Sequence, residues 1–234
     1  MRRSTSGSCV RGCSPKELGR PVRKRGCAAN SADASQSVLT GEIVNLPPNA
    51  ALILIDVQQG FDDPRWGRRN NPDAERHIAR LLAQWRRTGR PVLHVQHMSR
   101  EPESPLRPDC DGNAFKPETA PREDEPVFRK DVNSAFIGTD LEGYLQAQDI
   151  QDLVLVGLTT DHCVSTTARM AANLGFTVTV VADATATFDR VSYDGSRFEA
   201  EQMHRLALAS LHSEFASIRR SEEILSALIR SGAA

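Results

Sequence analysis

The sequence predicts an α/β fold: a three-layer, doubly wound, six-stranded and mainly parallel sheet with helices on both faces. Three observations lead there. From Ala51 onward, short runs rich in Val, Ile and Leu alternate with amphipathic segments, the pattern of successive βαβ units. The 234 residues suit one generous core, and 39% hydrophobic with 25% charged residues is ordinary for a globular chain. No apolar run approaches the ~20 residues that a membrane span needs.

The elements follow in order. Ala51 to Val57 is the first strand. Asn71-Pro72 supplies an N-cap with Pro at the first helical position, and Ile78, Leu81, Leu82 and Trp85 then share one face until Gly89 stops the helix. Pro91 to Gln96 is the second strand. The polar, Pro-punctuated stretch from Met98 to Glu125 is long enough to be a lid or binding loop. A third strand spans Val127 to Asp131, and Thr139 to Glu142 is a capping box opening the next helix. Leu153 to Val156 is a buried strand, Cys163 to Leu174 a helix stopped by Gly175, and Thr177 to Val181 a fifth strand. A helix over Arg197 to His212, a strand near Phe215 to Ile218 and a Ser221-capped helix complete the chain.

Residues 1–45 differ. They lack hydrophobic periodicity, and residues 1–40 hold eight basic side chains against two acidic ones, so they are expected to form a disordered basic tail ahead of a domain over 46–234. The remainder is acidic, with no basic footprint for nucleic acid. Five cysteines (Cys9, Cys13, Cys27, Cys110 and Cys163) at irregular spacing imply free thiols in a reducing, cytoplasmic setting. Cys9 and Cys13 have no second Cys/His pair at zinc spacing. His97, His162 and His204 form no metal set and are expected to be structural or peripheral. No cofactor and no metal are expected.

Ligands of doubly wound sheets bind beyond the carboxyl ends of the strands. There the sequence puts Asp56, Lys130 and Cys163, at the ends of strands one and three and in the turn after strand four. Cys163 at a helix N-terminus, with Lys130 as a neighbouring cation, favours a thiolate. Asp56 can take the thiol proton, return it to a leaving amine and later activate water. The N–H groups of Thr159 and Cys163 can serve as an oxyanion hole. Gln58, Phe61, Trp66, Asn133 and Phe136 are expected to bind substrate, with Gln58 and Asn133 also able to hold the triad by hydrogen bonds. Asp161 is expected to fix the turn.

Three blocks carry a resemblance: Asp56-Val57-Gln58-Gln59-Gly60-Phe61, Lys130 followed by Asn133-Ser134-Ala135-Phe136, and Gly157 to Val164 followed by Ser165-Thr166-Thr167. Together they resemble the isochorismatase-like cysteine hydrolases over about residues 50 to 220. The resemblance implies an Asp56-Lys130-Cys163 triad, a cis peptide between Leu158 and Thr159, and a homo-oligomer, dimer or tetramer. Val95 to Arg100 lacks the Asp-Trp-His metal segment of nicotinamidases. Cys163 is present where siderophore-pathway isochorismatases generally lack the nucleophile. A thiol-dependent hydrolase of a small amide or lactam is therefore expected. Trp66 to Pro72, Ser104 to Pro108 and Gly112 to Pro117 look similar to the streptothricin hydrolases. A ureidoacrylate- or nicotinamide-type amidohydrolase is the alternative, and a catalytically silent α/β binding protein is the rival of another class.

Overall fold

The computed structural model describes residues 46–231; the expected basic tail, with Cys9, Cys13 and Cys27, lies outside the described residues. Six strands form one sheet: β1 (Ala51–Ile55), β2 (Val92–His97), β3 (Val127–Lys130), β4 (Asp152–Leu158), β5 (Thr177–Ala186) and β8 (Ser217–Arg219). Their spatial order is β3-β2-β1-β4-β5-β8, and every pairing is parallel. The order reverses between β1 and β4, so the crevice above these two strands is the switch point of the sheet.

Alternate residues of the buried strands feed two apolar layers, as the two-residue period of a strand dictates. Leu52, Leu54, Val154 and Val156 pack beneath α1 (Ala74–Arg87) and α5 (Ser221–Ser231). Ala51, Ile53, Ile55, Leu93, Val95, Leu153 and Leu155 pack beneath α2 (Leu141–Ala147), α3 (Ser165–Asn173) and α4 (Ala200–Leu211). No helix among the described residues is long and apolar enough to cross a membrane.

Several boundaries differ from expectation. α1 begins at Ala74, because Asn71 has a φ of 42° and donates its side-chain amide to the carbonyls of Ala182 and Thr185 at 2.9 and 2.8 Å. Thr139 makes only half of the expected box: its hydroxyl accepts from the Leu141 N–H at 3.3 Å while donating back to the Ala135 carbonyl, and α2 starts at Leu141, with Asp140 giving no side-chain cap. A reciprocal box occurs instead at Glu199 and Gln202, opening α4 three residues later than expected. Ahead of it lies an unexpected ribbon, β6 (Arg190–Val191) with β7 (Arg197–Phe198), whose two-residue strands are too short to show a period. The segment 98–126 carries only short 3-10 turns and is tied down at both ends.

Gly157 shows why β4 can approach the site. Its φ is 116°, and a Cβ there would collide with the Ile55 carbonyl of β1. Only glycine lets the backbone close in at that conformation.

Candidate active site

Each of the three principal side chains stands at a strand's carboxyl end. Asp56 follows β1 directly; its N–H donates to the Val95 carbonyl at 3.0 Å, and its φ of 52° turns the chain away from the sheet. Asp tolerates that left-handed conformation better than most residues. Lys130 is the last residue of β3. Cys163 lies in a π-helical turn, Thr160–Val164, inserted between β4 and α3, and not in the first turn of an α-helix as expected. Before it, the Leu158-Thr159 peptide is cis. The Thr159 carbonyl accepts from the N–H groups of His162 and Val164, both at 3.2 Å.

The turn is fastened from outside. The Asp161 carboxylate accepts from Thr187 and from Arg190 Nε, the latter at 3.0 Å, and Thr160 Oγ1 pairs with His204 Nδ1 of α4 at 2.9 Å. Burial opposes ionisation of Asp161, but Arg190 and Thr187 outweigh it and hold the carboxyl below its ordinary range.

At the centre is the Lys130 ammonium. Nζ lies 2.6 Å from Asp56 Oδ2, 3.0 Å from His97 Nδ1 and 3.3 Å from Cys163 Sγ. Lys130 and Asp56 have no exposed side-chain surface. Burial works against the charge on Lys130, yet the adjoining carboxylate outweighs it and keeps the ammonium stable. Asp56 Oδ1 and Thr159 Oγ1 are buried with no hydrogen-bond partner among the described residues.

Cys163 corrects one expectation. It is 7% exposed, and its thiol is pushed well above the ordinary range, first by burial and then by the charge of Asp56, with Lys130 only partly offsetting them. Burial and the neighbouring carboxylate thus favour the protonated thiol, where the sequence led to the expectation of a thiolate. Its Sγ lies 3.7 Å from Asn133 Oδ1.

The structure brings Asp56, Lys130, Cys163 and Asn133 together and distributes the other candidates. Gln58, expected at the pocket, is fully buried, and its amide is spent on backbone groups: Oε1 accepts from His97 N–H, and Nε2 donates to the carbonyls of His97 and Asn113. It shapes the site from behind. Phe61 and Trp66 join Phe188 in an aromatic cluster, with ring centroids 5.3 to 6.1 Å apart, and Trp66 Nε1 donates to the Gly60 carbonyl. Phe136 stacks on Phe176 in the apolar layer that also holds Cys163. His97, expected to be structural or peripheral, is a direct partner of Lys130. Its position on β2, between β1 and β3, was the available signal.

Among the described residues, Asp56, His97 and Cys163 are the group whose donor atoms lie close enough together to hold a metal. Lys130 Nζ bonds all three, so a cation already stands among these donors and a metal would have to displace it.

Fold and site thus define a doubly wound α/β chain with an Asp-Lys-Cys cluster at its switch point. The chain belongs to the isochorismatase family of hydrolases: the isochorismatase domain matches residues 50–223. It is 43% identical over 180 residues to the isochorismatase family protein YrdC of Bacillus subtilis, covering 77% of this chain and 96% of the relative. A solved isochorismatase-family structure from Chromobacterium violaceum is 44% identical, with a TM-score of 0.78, covering 81% of this chain and 98% of the other. A streptothricin hydrolase of Streptomyces noursei is 34% identical over 142 residues, 59% of this chain and 50% of that protein. The maleamate amidohydrolase of Pseudomonas putida is 28% identical, over 75% of this chain and 90% of that one.

Proposed function

We propose that this hydrolase opens the C–N bond of a small amide or lactam through a thioester on Cys163. The observation that carries the proposal is the single ammonium, Lys130 Nζ, within bonding distance of both Asp56 and Cys163, while Asp56 Oδ1 is buried with no hydrogen-bond partner among the described residues. A buried carboxylate oxygen without a partner is costly, and a thiol proton or a substrate N–H would satisfy it.

The steps follow from that arrangement. Asp56 accepts the Cys163 proton as Sγ attacks the carbonyl carbon, and the carbonyl electrons move to oxygen. The N–H groups of Thr159 and Cys163 receive that oxyanion. When the tetrahedral species collapses, the C–N bond breaks and Asp56 gives its proton to the departing nitrogen. Asp56 then deprotonates a water that attacks the thioester; the C–S bond breaks, and the proton returns to Sγ. Lys130 holds its charge throughout, stabilising the carboxylate and then the sulfur.

The relatives named for amide or streptothricin hydrolysis support the reading. A streptothricin-type lactam is the first substrate to try, with ureido compounds and nicotinamide as comparators. Cys163→Ala and Asp56→Asn should each abolish turnover of whichever compound in that panel the wild type hydrolyses. Intact-mass analysis after mixing should reveal an acylated wild type and no adduct on Cys163→Ala. Residual turnover by Cys163→Ala would sink the thioester mechanism.

A further inference from the structure

We propose that His97 is a positioning residue for Lys130, acting as an obligatory hydrogen-bond acceptor through Nδ1. The inference rests on the triad reading above and extends it by one member.

An ammonium has three hydrogens and no acceptor. Those of Lys130 meet Asp56 Oδ2, His97 Nδ1 and Cys163 Sγ, so the group is saturated by three acceptors of which His97 is the only one uninvolved in the proposed chemistry. The contact fixes the tautomer: Nδ1 accepts, so the proton sits on Nε2 and the ring is neutral. A protonated ring would set N–H against N–H at 3.0 Å.

The backbone of His97 is held with unusual care for a strand end. Gln58 Oε1 accepts from its N–H at 2.8 Å, and Gln58 Nε2 and Asn113 Nδ2 both donate to its carbonyl, at 3.1 and 2.8 Å. Gln58 and Asn113 are buried. Because Gln58 lies two residues after Asp56, the same side chain that fixes His97 also fixes its distance from the Asp56 turn.

The groups facing the ring are Lys130 at the end of β3, Asp131 just beyond it, Asp56 after β1 and the Cys163 thiol after β4. Burial and the Lys130 charge disfavour a second proton on the ring and outweigh the two carboxylates, so its titration lies below the ordinary histidine range. As pH falls through that lowered value, the ring gains a proton at Nδ1 and its bond to Lys130 is lost. Reactivity of Cys163 therefore falls on the acid side.

The test uses two amides that imitate different ring nitrogens: asparagine places its oxygen near the Nδ1 position, glutamine near Nε2. The readout is the alkylation rate of Cys163 by iodoacetamide in the folded full chain, followed by peptide mass, which requires no substrate. His97→Asn should stay within about threefold of the wild type, whereas His97→Gln should slow alkylation by about tenfold or more, the scale of a lost hydrogen bond to a charged group. The acid limb of the rate should also be less steep in His97→Asn than in the wild type. Rescue by glutamine but not asparagine would reassign the role to Nε2, and wild-type rates in both variants would remove His97 from the site; either result overturns the inference. Turnover by Cys163→Ala would instead defeat the thioester reading while leaving the alkylation comparison decisive for His97.

Discussion

At the scale of single residues, the site depends on where a proton rests. Cys163 is raised by burial and by Asp56, so the carboxylate that serves as base also suppresses the thiolate beforehand. The two roles can be separated. In Asp56→Asn the negative charge is gone, the thiol should ionise more readily, and iodoacetamide should label Cys163 roughly tenfold faster at pH 8, although turnover is abolished. Slower labelling than in the wild type would show that Asp56 does not hold the proton in place. The residue types and their strand-end positions made Asp56, Lys130 and Cys163 legible in the sequence. The protonation state was not, because it depends on the 7% exposure of the thiol and on a 2.6 Å ion pair, neither of which has a sequence signature. His97 escaped for a similar reason: a histidine at a strand end looks the same whether it faces solvent or an ammonium.

At the scale of elements, α1 grips the long segment 98–126 at two places. Near its start, Glu75 takes both Lys116 Nζ at 2.7 Å and a bidentate Arg69. Near its end, Arg86 holds Glu125 through two bonds of 2.7 Å, while His94 Nε2 meets the same carboxylate at 2.9 Å. Burial opposes ionisation of both carboxyls, but these partners, joined at Glu125 by the Arg122 N–H, outweigh it and bring each to about 2. The folded values lie below the unfolded ones, so the stabilisation is present above about pH 4.5 and is lost as pH falls toward 2. For the buried Glu75 the contribution is on the order of 3 kcal/mol. Glu75→Gln should lower the urea midpoint at pH 7 and flatten its decline between pH 4.5 and 2; an unchanged slope would mean that Glu75 is not ionised in the folded state. The composition of this segment announced a long loop but not its fastening, since Glu75 and Lys116 lie 41 residues apart. The start of α1 was misplaced because the Asn71 side chain found backbone acceptors on β5 in place of a capping role. The ends of β1, β2 and β4 were placed within two residues because their burial leaves a sequence little freedom, whereas β5 runs to Ala186, five residues past its expected end at Val181.

At the scale of the whole molecule, the two apolar layers would close without the site. Asp56 and Lys130 are charges set where the sheet's interior meets its rim, with no exposed side-chain surface. Withdrawing such a pair from water costs about as much as the attraction between them returns, so the pair is a poor source of stability, whereas removing one partner alone is severe. Lys130→Met should therefore destabilise the fold by about 3–5 kcal/mol, because it strands a buried carboxylate. Asp56→Asn should cost less, since the amide oxygen still accepts from Nζ and asparagine tolerates the left-handed backbone at that position. The double variant Asp56→Asn/Lys130→Met leaves no unpaired charge and should recover most of the loss from Lys130→Met while remaining inactive. Urea unfolding of all four proteins closes the cycle. A coupling of at least about 1 kcal/mol is expected for groups in direct contact, and strict additivity would mean that the pair is solvated and the fold does not bear its charge.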